Sequence, residues 1–169
     1  MSQYTCAILT TSDKGAIGER EDTSGPALAQ RLTAAGFTVA AQNLVPDQIE
    51  AIREVLLDWV DEKGIDLVVT TGGTGVSPSD VTPEATRPLL DKEIPGMAEA
   101  MRAASLRLTP HAMISRAITG IRGRSLIINL PGSRKAALEN LEVLMPAIPH
   151  AIDKIQGSTA DCAALPQKK

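Results

Sequence analysis

Residues 65–87 read Ile-Asp-Leu-Val-Val-Thr-Thr-Gly-Gly-Thr-Gly-Val-Ser-Pro-Ser-Asp-Val-Thr-Pro-Glu-Ala-Thr-Arg. The run 65–69 is short, largely apolar and rich in β-branched residues, which favours a buried strand over a helix. Gly72, Gly73 and Gly75 therefore fall where that strand ends. A glycine-rich turn at such a place lets backbone N–H groups approach an anionic ligand closely. Asp80 follows just beyond the turn, and Thr82-Pro83-Glu84 reads as a helix start, with threonine as cap and proline at the first helical position. Gly-Gly-Thr-Gly fits neither of the common glycine-rich nucleotide fingerprints, so a plain turn, with Asp80 bonding nearby backbone, stands beside the phosphate reading.

Working outward, residues 5–11 form an apolar, β-prone run that leads into Ser12-Asp13-Lys14-Gly15. Ser24-Gly25-Pro26 opens a helix through about residue 35, and Gly36 stops it. A second strand is expected at 37–45. Beyond Pro46-Asp47, the residues Ile49, Ile52, Val55, Leu56, Trp59 and Val60 recur at helical spacing through residue 63. Three strands thus alternate with two helices, a pattern that implies right-handed crossovers and a mainly parallel sheet.

Downstream, helices are expected at 83–91 and 96–108, then strands at 117–121 and 125–130 around the basic turn Arg122-Gly123-Arg124. Leu138, Leu141, Met145, Ile148, Ile152 and Ile155 mark a final long helix, which Pro146 and Pro149 kink or divide. The fold class expected is α/β, with one domain over residues 1–156 and a mobile tail over 157–169.

Composition narrows the function classes. The chain has 169 residues and a net charge of -3, and its 17 Lys and Arg form no long run, which argues against non-specific nucleic-acid binding through a basic face. Aromatic residues make up 2%, leaving Tyr4, Phe37 and Trp59, too few for base stacking. No stretch approaches a membrane span and no leader-like segment opens the chain, so the expected location is the cytoplasm. Cys6 and Cys162 are too far apart in sequence for a Cys-x-x-Cys site, and the reading is a reduced pair. His111 and His150 are isolated, which gives weak grounds for catalysis.

Ser12-Asp13, Asp47, the 72–75 loop and the 131–133 loop all follow expected strands. In an open parallel sheet the carboxyl edge is where ligands bind, so these four loops mark a ligand site on that edge.

At this point the chain resembles the molybdopterin adenylyltransferase family of molybdenum cofactor biosynthesis. The resemblance rests on Thr70-Thr71-Gly72-Gly73-Thr74-Gly75, Asp80-Val81-Thr82-Pro83-Glu84-Ala85-Thr86, Ile94-Pro95-Gly96, Met113-Ile114-Ser115-Arg116 and Asn129-Leu130-Pro131-Gly132, in order and at similar spacing. It implies a three-layer α/β/α fold, with a mainly parallel sheet and a small antiparallel element. It also implies an enzyme that joins molybdopterin to the AMP part of ATP with release of pyrophosphate.

Asp47 and Asp80 match the family's two aspartates around Mg2+ and the reacting phosphate. Ser12, Asp13, Gly72, Gly73, Thr74, Gly75, Ser115, Arg116, Pro131, Gly132 and Ser133 match its pterin and nucleotide contacts. Ser133 is followed by Arg134 and Lys135 where many relatives have proline. A homotrimer, or trimers paired into a hexamer, is implied too, together with a molybdenum-insertion protein as a further partner. Met97 and Met101 around Pro95 read as exposed apolar residues that such an assembly would cover.

Each residue also has a plainer role. Asp47 with Glu50 forms an Asp-x-x-Glu helix start, in which the carboxylate is a cap. Asp13 could bond the turn at Lys14-Gly15, Arg116 and Arg122 could be solvated charges, and Ser115 a turn hydroxyl. Two other functions fit a phosphate-binding edge: a non-enzymatic pterin-binding scaffold, and a nucleotide-pyrophosphate hydrolase.

Overall fold

The computed structural model describes residues 4–159. Six strands form one sheet: β1 (Thr5–Thr11), β2 (Thr38–Val45), β3 (Leu67–Thr71), β4 (Lys92–Glu93), β5 (Thr119–Arg122) and β6 (Ser125–Leu130). Their spatial order is β2-β1-β3-β6-β5-β4. The first four in that order run parallel, whereas β5 pairs antiparallel with both β6 and β4. The basic turn at 122–124 therefore closes a hairpin, which is the small antiparallel element expected.

Helices cover both faces, and the strands show why. In β1, Cys6 and Ile8 point into one apolar cluster while Ala7 and Leu9 point into the other; β6 divides the same way, with Leu126 and Ile128 against Ile127. A period of two places alternate residues on opposite faces, so a continuous apolar run marks a strand buried on both. The first layer holds α2 (Ser24–Ala34), α5 (Pro95–Leu106), α6 (Arg134–Leu144) and α7 (Ile148–Ile155). The second holds α3 (Ile49–Leu57), continued by a wider turn through Asp58–Glu62 that carries Trp59, and α4 (Thr82–Thr86). A one-turn helix, α1 (Asp13–Ala16), follows β1.

Several expectations need correction. Met97 and Met101 are not exposed: they are 8% and 2% accessible and sit in the first core, so they call for no partner subunit. The helix placed at 83–91 is one turn of α4 followed by a 3-10 turn, Arg87–Leu89, where Pro88 interrupts it. The final helix is divided between Leu144 and Ile148, at Pro146. Most of the expected tail, and Cys162 with it, lies outside the described residues. Cys6 is free and fully buried, and burial pushes its thiol pKa up to about 12, which leaves it inert. Among the described residues no helix is long and apolar enough to cross a membrane.

Candidate functional site

The chain runs from β1 outward to β2, then crosses back over β1 to β3. Right-handed crossovers in opposite directions put α2 and α3 on opposite faces and open a crevice at the carboxyl ends of β1 and β3. Thr10 is paired there with Thr71, and Thr71 with Leu130. Above these strand ends lies a cavity of about 630 Å³ lined by Ser12, Asp22, Asp47, Gly72, Ser133 and neighbours. A second, of about 380 Å³, is lined by Thr74, Gly75, Arg102, Ser115, Pro131 and Asn140 among others. Gly73, Asp80 and Gly132 line both, so the two form one groove with two lobes.

The glycines at the junction are dictated by backbone and space. Gly72 and Gly73 have φ of 104° and 65°, the left-handed region that side chains disfavour. A Cβ at Gly72 would collide with the Thr11 carbonyl, and one at Gly73 with the Thr82 hydroxyl. Thr82 thus differs from its expected role as a cap. The N-cap of α4 is Val81, and the Thr82 hydroxyl donates to Gly72 O at 2.9 Å instead. Thr71 Oγ1 donates to Pro131 O at 2.7 Å, binding the 72–75 loop to the 131–133 loop. Ser24 Oγ holds the latter from the other side through Gly132 O at 2.8 Å.

Asp47 is also not a helix cap. The N-cap of α3 is Gln48, which makes no side-chain cap bond, while Asp47 Oδ2 accepts from Asp13 N–H at 2.9 Å. Asp13 Oδ1 accepts in turn from Asp47 N–H at 2.8 Å, so the two loops clasp each other. Asp80 does take part in a turn: Oδ2 accepts from Ser77 N–H at 2.8 Å. Burial raises the Asp47 pKa above the ordinary carboxylate value, opposed by the Asp13 N–H and reinforced by the charges of Asp13 and Asp80.

These aspartates bear on the expected magnesium. Among the described residues no three carboxylate, His or Cys side chains form a cation cage. Mg2+ needs none when it arrives on a nucleotide, since one or two carboxylates and phosphate oxygens complete its shell. Asp47 and Asp80 are hard oxygen donors that both line the groove, close enough that the Asp80 charge adds to the cost of charging Asp47, and they fit that mode.

The other candidates divide. Ser12 lines the first lobe and caps α1 by accepting from Gly15 N–H at 3.0 Å. Ser133 lines it too and caps α6 through Ala136 N–H at 3.3 Å. Asp13 is exposed and meets the groove through Asp47, while Arg116 lines neither lobe. The Arg116 guanidinium binds the Gly75 and Asp80 carbonyls at 2.6 and 2.7 Å and pairs with Glu84, whose pKa this contact lowers.

Sequence reasoning passed over Asp22, which accepts from Ser24 N–H, Gly25 N–H and the Thr10 hydroxyl. Its place just before Ser-Gly-Pro was the available signal. Arg102 and Asn140 gave none, because α5 packing on α6 is what brings them to the second lobe. His111, isolated in sequence, also stands on that lobe's wall.

A family model described as "Probable molybdopterin binding domain" matches residues 7–150. Gephyrin from Dictyostelium discoideum is 44% identical over 163 residues, covering 90% of this chain and 23% of gephyrin. The chain thus spans about a quarter of the length of that relative and of cinnamon from Drosophila melanogaster, where it covers 26%. The molybdopterin adenylyltransferase of Helicobacter pylori is 43% identical over 160 residues, with 94% of this chain and 91% of that protein covered. In structure, the molybdopterin biosynthesis enzyme MoaB of Thermus thermophilus matches with a TM-score of 0.88 at 52% identity, over 92% of this chain and 98% of that one. A family match over residues 7–150, with fold and identity in agreement, means that the chain belongs to the molybdopterin-binding domain family of molybdenum cofactor biosynthesis.

Proposed function

We propose that the chain is a Mg-ATP-dependent molybdopterin adenylyltransferase. The observation that carries the reading is the groove itself: two lobes of different character meeting at Gly73, Asp80 and Gly132. Two substrates, each entering one lobe, would bring their phosphates together at that junction. The activity named for the Helicobacter pylori relative, which this chain matches nearly end to end, supports the same reading.

In this account the first lobe takes ATP, with Asp47 and Asp80 as the carboxylates that hold its Mg2+ and with Arg20 and Arg134 on the lining to balance phosphate charge. The second takes molybdopterin, a flat heterocycle suited to a wall of Leu108, Ile114 and Pro131 with Ser115 and Asn140 as polar partners. A terminal oxygen of the pterin phosphate attacks the α-phosphorus of ATP. The bond to the bridging oxygen breaks and pyrophosphate leaves. Bound Mg2+ would neutralise phosphate charge. The protein's share is positioning: glycine N–H groups at the junction, Thr82 and Thr71 holding the two loops, and carboxylates fixed by neighbouring backbone.

The assembly we propose is a homotrimer, pairing of trimers being a further option for light scattering to test; a monomer-mass species alone at micromolar concentration would overturn it. The proposed setting is the cytoplasm, with product handed to a molybdenum-insertion protein. The decisive assay supplies purified protein with molybdopterin, ATP and Mg2+. Adenylylated pterin and pyrophosphate in equal amounts are expected. Saturable pterin binding without pyrophosphate would mean a scaffold, and ATP cleavage without pterin a hydrolase.

A further inference from the structure

We infer that Arg116 is a positioning residue that sets Asp80 from behind the groove, and that it makes no contact with substrate. The inference rests on the adenylyltransferase reading for its kinetic part only. Segment 75–80 contains Pro78 and spans the distance between the glycine loop and α4, and its residues 76–79 are exposed. Arg116 fastens both ends of it: Nε–H donates to Gly75 O at 2.6 Å and Nη2–H to Asp80 O at 2.7 Å. Its own backbone N–H donates to Thr74 O at 2.8 Å, just upstream. Glu84, in the single turn of α4, receives the remaining edge of the guanidinium.

This arrangement uses the planar fork of arginine in full. Three acceptors on three parts of the chain lie within reach of one rigid group, which a lysine ammonium on a flexible stem cannot reproduce. Arg116 lines a separate cavity of about 380 Å³ with Pro83, Glu84 and Arg87. Its neighbour Ser115 lines that cavity and the second lobe as well. The Ser115-Arg116 step therefore links the pterin lobe to the backbone that carries Asp80. Within the segment, Ser77 N–H bonds the Asp80 carboxylate and Asp80 N–H bonds Ser77 O at 2.9 Å. Holding the two ends fixed keeps this internal turn closed and its carboxylate aimed at the junction.

The test compares wild type with Arg116→Lys and Glu84→Gln, by amide hydrogen exchange over 75–80 in the free protein and by steady-state kinetics. For Arg116→Lys we expect exchange in that segment to quicken at least ~10-fold while the strands stay protected. We also expect kcat to fall ~100-fold, the scale of a lost positioning contact, with the pterin KM within about threefold of wild type. Glu84→Gln leaves Arg116 with both carbonyl acceptors and removes only a partly exposed ion pair, so it is expected to fold, with exchange between wild type and Arg116→Lys. Unchanged exchange in both variants would overturn the inference, as would a higher pterin or ATP KM with unchanged kcat for Arg116→Lys, since that is the mark of a substrate contact. If wild type itself makes no adenylylated pterin, the adenylyltransferase reading fails, and the exchange comparison still decides the clamp.

Discussion

The two lobes of the groove share a floor but are made of different material. The first is built from the loops that follow β1, β2, β3 and β6, and brings three aspartates, with serines and threonines, to the sheet's carboxyl edge. The second is built by α5, the segment after it, and α6, and offers Leu108, Ile114 and Pro131 with a few polar groups. One lobe manages charge and the other shape. It follows that charge-altering changes in the first should act on turnover, and changes in the second on pterin affinity.

The largest effect expected is at Asp47. Asp47→Asn keeps an acceptor for the Asp13 N–H and removes the charge, so turnover should fall at least ~100-fold, the scale of a lost electrostatic contact. Pterin binding, read by equilibrium titration, should not move. Next is the glycine turn beside the junction: Gly72→Ala must adopt a positive φ and push against the Thr11 carbonyl, costing at least ~2 kcal/mol in denaturant unfolding. Ser115→Ala belongs to the second lobe, and loss of one hydrogen bond there should raise the pterin KM up to ~10-fold and leave the ATP KM unchanged. A ten-fold change in ATP KM with Ser115→Ala would break the division between lobes.

The smallest effects come from pH. If Asp47 holds the cation as proposed, its raised pKa in the free protein should place the acid limb of kcat/KM for Mg-ATP at a higher pH than an ordinary aspartate would. The stability sign is opposite to the usual case for an acid. The folded state binds this proton more tightly than the unfolded chain does, so stability falls as pH rises from the unfolded pKa through the folded one. At neutral pH Asp47→Asn should therefore match or slightly exceed the wild-type melting temperature while turnover collapses.

The difference between the lobes also governs what could be read from sequence. Strands β1, β3 and β6 were legible because burial on both faces leaves continuous apolar runs, and the loops of the first lobe follow from where those runs stop. Strand β4 was not legible: Lys92 and Glu93 are exposed, and pairing with β5 alone makes them a strand. The second lobe depends on the packing of α5 against α6, which no local spacing records. Local rules also misassigned Thr82 and Asp47 as caps. Both residues sit where a cap could form, yet a tertiary partner, the Gly72 carbonyl or the Asp13 N–H, takes the side chain instead. Met97 and Met101 failed for a similar reason, since α5 turns them onto the sheet.

Asp80 stands where the lobes meet, and a single-turnover measurement on Asp80→Asn tests the division at its joint. Protein in excess of molybdopterin is mixed with Mg-ATP, and pterin binding and pyrophosphate release are followed in the same sample. The account predicts that wild type releases one pyrophosphate per adenylylated pterin, whereas Asp80→Asn binds pterin with wild-type affinity and releases pyrophosphate at least ~100-fold more slowly. Wild-type release by Asp80→Asn under subsaturating Mg2+ would contradict it and leave Asp80 as the closing residue of a turn.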